Sequence, residues 1–250
     1  MFFSKPGQYK PCGMYTKGHM ILLSVTLICI TIALYYTRKY DKDKVKKIIK
    51  SSTIILWILE IIKIIFNLAI GNIKNPNNYI PLYYCSLILY AGIFSSFCKG
   101  KLKMVGDVFI ATGSIIGGLF FLFCPNTSLP AYQMFHYISI QSFIFHGTML
   151  YLGILVNITN YVELKFIDIK YYTILIFVIS FVSLAVNKLL GTNFMFISNN
   201  FPNTPIEIAY KYTGKFFTAF MILLQAVGPY CVIYGLKKII ASRKVLCKGE

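Results

Sequence analysis

Apolar and polar positions along this chain fall into long blocks, without the fine alternation of a water-soluble domain. Seven runs dominated by Ile, Leu, Phe, Val, Ala and Gly occupy residues 19–36, 53–71, 79–97, 105–123, 134–157, 171–190 and 216–236. Each is long enough, or nearly so, for a helix to cross a hydrocarbon core about 30 Å thick, which takes roughly 20 residues. Inside a bilayer no water satisfies backbone polar groups, so runs of this kind fold as helices. The pattern predicts an all-α fold, a polytopic membrane helical bundle of about seven transmembrane helices. Residues 1–18 form an N-terminal lead, 19–236 a single seven-helix transmembrane domain, and 237–250 a basic tail. The third run is short and carries Pro81 near its start. The fourth holds Gly106, Gly113, Gly117 and Gly118, a composition suited to close helix contact.

Composition supports this reading. Hydrophobic residues make up 57% and charged residues 13% of the chain, where a soluble domain is about half apolar and a quarter charged. The formal charge of +17 raises nucleic acid as a partner, but the basic residues lie mainly in loops between apolar runs. No basic stripe interleaves with base-stacking aromatics, so no nucleic-acid partner is expected. Alternate loops divide the Lys and Arg residues unequally. The segments after the first, third and fifth runs and the tail hold 17, and the opposite side holds 5. The positive-inside rule then predicts an extracytoplasmic N-terminus, a cytoplasmic C-terminus and a multi-pass location in the cell membrane. Anionic lipid headgroups are the expected partners of the cytoplasmic loops. No cleavable signal peptide is expected, because no small-residue cleavage site follows the first run. Of the seven cysteines, none form a Cys-x-x-Cys pair, so neither a zinc ribbon nor a redox motif is indicated.

Polar residues inside such runs cost a few kcal/mol unless partnered, which makes their positions informative. On the predicted orientation, Cys85 lies near the outer end of the third run and His136 at the outer end of the fifth. His146 lies ten residues further in, about 15 Å deeper. Asn187 and Asn193 bracket the outer end of the sixth run, and Glu60, Lys63 and Asn67 occupy the second. The inner half holds few such groups, chiefly Asn157 and Asp107. Bland readings stand beside these placements. Glu60 and Lys63, spaced i, i+3, can simply neutralise one another. A buried Cys is commonly packing filler, and Asn193 and Asn199 suit loop turns.

Cys with His is the minimum for nucleophilic acyl transfer. The thiol must ionise, an apolar setting disfavours the thiolate, and a neighbouring imidazole can take the proton. An Asn amide can donate to an oxyanion. A metal is not expected, since there is no His-Glu-x-x-His and no His pair at i, i+4. No cofactor is expected either. Three readings stay open on the residues alone. The candidate acyl-transfer set is Cys85, His146 and His136 as catalytic groups, with Asn187, Asn193, Glu60 and Asn67 binding substrate. The second is a transporter or channel for a small polar solute or ion lined by Glu60, Lys63, His146 and Asn67. The third is a non-catalytic sensor or assembly component. The oligomeric state is not legible.

Three segments carry a family resemblance. Ile80-Pro81-Leu82-Tyr83-Tyr84-Cys85-Ser86 resembles a Leu-Pro-Leu-His-x-Cys-Ser segment, and Phe145-His146-Gly147 a Phe-x-x-x-His-Gly segment. Asn187-Lys188-Leu189-Leu190-Gly191-Thr192-Asn193-Phe194-Met195-Phe196 resembles Asn-x-x-x-Gly-Thr-Asn-Tyr-Met-Phe. Together they resemble the YwaF family of bacterial integral membrane proteins, relatives of vertebrate transmembrane protein 164, over about residues 53–236. The resemblance implies an acyltransferase that moves a fatty acyl chain between membrane phospholipids, with Cys85 as acyl carrier and His146 as the motif histidine. Two positions depart from the pattern. Tyr83 stands where the family has His, and residues 205–212 replace a Gly-Pro-Trp-Pro-Trp-like stretch.

Overall fold

The computed structural model describes residues 2–70, 75–202 and 204–246, the last four by backbone alone. Gly71 at the end of the second run, the three residues after it, Asn203 and Cys247 lie outside the described residues. The regular elements of the described chain are all helices, and the chain divides into two compact units, Met1–Val162 and Glu163–Glu250.

The first unit contains α1 (Lys17–Thr37), α2 (Lys42–Ala69), α3 (Leu87–Phe97), α4 (Gly100–Ala111), α5 (Gly113–Phe123) and α6 (Tyr137–Ile158). The second contains α7 (Ile169–Leu190), α8 (Pro205–Thr213) and α9 (Phe217–Leu246). Six helices are long and apolar enough to cross a membrane, and Tyr84–Phe97 is a shorter apolar helix. The chain is therefore an all-α multi-span membrane protein, with its apolar helices where the hydropathy runs predict them.

The differences in detail have local causes. The second helix begins at Lys42, not near residue 53, because Asp41 caps it: its carboxylate accepts from the Lys44 N–H at 2.8 Å. The lysine-rich stretch then continues as helix on the way into the apolar run. The third helix starts late because Pro81 and the turn at Tyr84–Ser86 hold the preceding chain out of helix. The fourth run is broken at Thr112, where φ is −127° and ψ is −72°. No water can satisfy a backbone opened at this depth, so side chains do so. Asn157 Nδ2 donates to Ala111 O at 2.7 Å, and the Tyr84 hydroxyl donates to Gly113 O at 3.4 Å.

Glycines bring α5 against its neighbours. A Cβ on Gly118 would stand 3.0 Å from His146 O and from Leu150 N of α6, and one on Gly117 would meet Met149 and the Tyr84 ring. Between α3 and α4, Asp107 is buried with Lys103 as ion-pair partner and Ser95 as hydrogen-bond donor. Asp107 is thus a partnered packing group between the two helices. His19, buried in α1, donates from Nε2 to Leu122 O at 2.9 Å and accepts the Tyr15 N–H at Nδ1. It is a tie between α1 and the end of α5.

Candidate functional site

In the first unit, Cys85 sits in the one-turn helix that leads into α3. Its thiol donates to Gly117 O of α5 at 3.8 Å, a weak sulfur bond. His146, near the middle of α6, lies flat on Phe121 of α5, with ring centroids 3.6 Å apart and planes at 9°. Gly117 and Phe121 are four residues apart on one helix, so they share a face with an axial rise of about 6 Å. Cys85 and His146, 61 residues apart in the chain, are thereby gathered onto one stripe of α5.

The His146 ring has a defined tautomer. Nδ1 lies 2.7 Å from Ser142 O, and a carbonyl can only accept, so Nδ1 carries the proton. In the neutral ring Nε2 then holds a lone pair. Among the described residues Nε2 has no hydrogen-bond partner. His136 is placed differently. It is the N-cap of α6: Nδ1 accepts from the Ile138 N–H at 3.1 Å, Nε2 donates to Ser4 O at 3.1 Å, and the ring stacks on Tyr132. Both of its nitrogens are committed to structure. Burial also holds its pKa below the usual imidazole value, which keeps the neutral, capping form.

The polar groups of α2 adjoin this region through a continuous set of bonds. Asn67 donates to Lys63 O at 2.9 Å and to Asn78 O at 3.1 Å. Its role is to fasten the following loop. In that loop the Tyr83 hydroxyl donates to Asn77 Oδ1 at 3.1 Å, two residues before Cys85. One turn back on α2, Lys63 Nζ stands 2.6 Å from Glu60 Oε1. Tyr83 therefore acts as a strut between the loop and the Cys85 turn.

Asn187 and Asn193 belong to the second unit, where they organise a loop that folds back on α7. Asn187 Oδ1 accepts from Thr192 Oγ1 at 2.8 Å and from the Phe194 N–H at 2.7 Å. Its Nδ2 donates to Phe194 O at 3.1 Å and Ser198 Oγ at 2.7 Å. Asn193 Oδ1 accepts from the Ser198 and Asn199 amides, both at 3.1 Å, and its Nδ2 donates to Asn199 O at 3.0 Å. Gly191, Met195 and Phe196 take left-handed backbone angles, and Gln225 of α9 holds Met195 O at 2.8 Å. The Gly-Thr-Asn-Phe-Met-Phe segment is thus a structural knot whose amides are already engaged. Gln225 was not singled out in the sequence. A lone Gln in an apolar helix signals a cost that something must offset, and that signal was available.

Among the described residues, no three His, Cys, Asp or Glu side chains gather as metal ligands. Compared with known proteins, the chain matches the family model described as the TMEM164 family over residues 14–233. No curated protein and no solved structure matches it.

Proposed function

The chain belongs to the TMEM164 family, and from that premise we propose that it is a membrane-embedded lipid acyltransferase that moves a fatty acyl chain between phospholipids through Cys85 and His146. The observation that carries this reading is the shared α5 face, with Cys85 on Gly117, His146 on Phe121, and His146 Nε2 left as an unoccupied base.

In the first half-reaction, Cys85 Sγ attacks an ester carbonyl of the donor phospholipid as His146 Nε2 takes the thiol proton. The ester C–O bond breaks, and the leaving glycerol oxygen takes that proton from His146, giving an acyl thioester and a lysophospholipid. In the second, His146 accepts the hydroxyl proton of an acceptor lysophospholipid, whose oxygen attacks the thioester. The C–S bond breaks and the proton returns to Cys85. Every atom and proton is accounted for without a cofactor. His146 is the base here, because both nitrogens of His136 are engaged. Asn187 and Asn193 shape the second unit and are given no oxyanion role. The orientation inferred from charge puts this chemistry in the outer half of the bilayer.

The test is intact-protein mass spectrometry after incubation with phospholipid vesicles, with a lysophospholipid chase. Wild type should gain an acyl mass that neutral hydroxylamine removes and that the chase transfers to the lysolipid. Cys85→Ala should gain none, and His146→Gln should acylate about 100-fold more slowly. Unchanged acyl transfer by Cys85→Ala refutes the mechanism.

A further inference from the structure

We infer that Glu60 and Lys63 form the headgroup site of this centre, with Lys63 taking the lipid phosphodiester and Glu60 setting which headgroup charge is accepted. The inference rests on the acyl-transfer reading above and adds the recognition element that reading lacks.

Three observations lead to it. First, the pair is unevenly buried: the Glu60 side chain is 2% exposed and that of Lys63 24%. The ammonium therefore opens outward from a carboxylate sealed beneath it. Second, the pair is under-satisfied. An ammonium has three N–H donors, yet among the described residues Glu60 is the one ion-pair partner of Lys63. Glu60 Oε1, 2.6 Å from Nζ, has no partner beyond this ion pair. Within a membrane span, spare ammonium donors call for an oxygen acceptor, and lipid phosphate oxygens are the acceptors at hand. Third, the pair lies on the helix that anchors the loop before the reacting cysteine. One turn further along α2, Asn67 donates to Asn78 O, and Asn77 of that loop holds Tyr83, two residues from Cys85.

Charge balance then fixes the selectivity. The empty pair is neutral. A phosphodiester on Lys63 adds one negative charge in a medium where unbalanced charge is expensive. A headgroup that carries its own cation cancels that charge, whereas an anionic headgroup leaves it uncompensated. Wild type should therefore prefer zwitterionic over anionic phospholipid. Replacing Glu60 by a neutral isostere leaves Lys63 with a free positive charge, and the preference should invert.

The experiment measures lipid retention by native mass spectrometry on the full chain carrying Cys85→Ala, in which no transfer occurs. The probes are phosphatidylethanolamine, phosphatidylglycerol and diacylglycerol with identical acyl chains. Expected is retention of phosphatidylethanolamine about ten-fold over phosphatidylglycerol, with diacylglycerol weakest. Adding Lys63→Gln should bring the phospholipids down to the diacylglycerol level, and adding Glu60→Gln should put phosphatidylglycerol first. The wild-type pair needs no substitution to be tested: equal retention of all three lipids overturns the inference even if a variant fails to fold. An unchanged order in a folded Glu60→Gln or Lys63→Gln protein also overturns it. Displacement of lipid by excess inorganic phosphate would show a soluble phosphate site and overturn the lipid assignment. The two readings separate cleanly. Charge-selective retention without Cys85 acylation sinks the acyl-transfer mechanism alone, and acylation without charge-selective retention sinks the headgroup site alone.

Discussion

Substituting Gly106 tests the helix packing beneath the candidate site. Gly106 of α4 faces α3 so closely that an added Cβ would stand 2.3 Å from Ala91 O and 2.5 Å from Ser95 N. Both are backbone atoms, so no rotamer change relieves the overlap. Restoring ordinary contact requires the two helices to part locally by about 1 Å. Overpacking of this kind typically costs about 1–3 kcal/mol. The same displacement acts on the Ser95–Asp107 hydrogen bond, 2.5 Å long and buried, whose charged acceptor makes it worth about 1.5–3 kcal/mol. Gly106→Ala should therefore lose roughly 2.5–6 kcal/mol in total, and melt on the order of 10 °C below wild type. The control is Gly235→Ala in α9, where an added Cβ meets nothing within 4 Å. There the change should be neutral or gain up to about 1 kcal/mol from helix propensity. Thermal unfolding in mild detergent, followed with a thiol-reactive fluorophore on the half-buried cysteines such as Cys85 and Cys98, reads both. If Gly106→Ala melts with or above Gly235→Ala, the close α3–α4 approach is wrong.

Two more outcomes follow from the geometry. Asn187→Ala removes both acceptors and donors of the 191–198 knot and should cost about 3 kcal/mol or more. Asn187→Asp keeps the bonds from Thr192 and Phe194 N–H and should cost less, and hydrogen exchange across 191–198 ranks the two variants. Asp41, outside the membrane span, has its carboxyl held below the usual aspartate range by the Lys44 N–H. A depressed folded pKa stabilises above the unfolded value of about 3.9 and is lost as pH falls through the folded value. Exchange protection at the start of α2 should thus decline in acid, and Asp41→Asn, which keeps the cap, should abolish that pH dependence.

Hydropathy sufficed for the helices because a bilayer leaves the backbone little alternative. The sequence did not reveal the break at Thr112, which has no proline. It is held open by Asn157 and Tyr84, from remote parts of the chain. His136 and His146 look alike in sequence, both histidines at the edge of or within one apolar run. They differ in what their nitrogens meet: a helix start and Ser4 O for one, a single carbonyl for the other. Asn187 and Asn193 read as polar groups near a membrane edge, and their saturation by neighbouring backbone and hydroxyl groups depends on left-handed angles at residues no periodicity marks. The Glu60–Lys63 spacing was legible as a pair, but the unequal burial of its members was not. That depends on which way α2 faces its neighbours.

The short helix Tyr84–Phe97 has a consequence for biogenesis. Its 14 residues reach about 21 Å, well short of a 30 Å hydrocarbon core. Released alone from a translocon it would leave its ends unmatched in lipid. In the finished protein it is walled by α2 and α4, and of its large side chains only Phe97 is broadly exposed. The insertion machinery must therefore retain it until α4 has been made, and hand the α3–α4 hairpin to the bilayer as one piece. A nascent chain truncated after Phe97 should slip back out of the membrane, and the Cys85 turn would go with it.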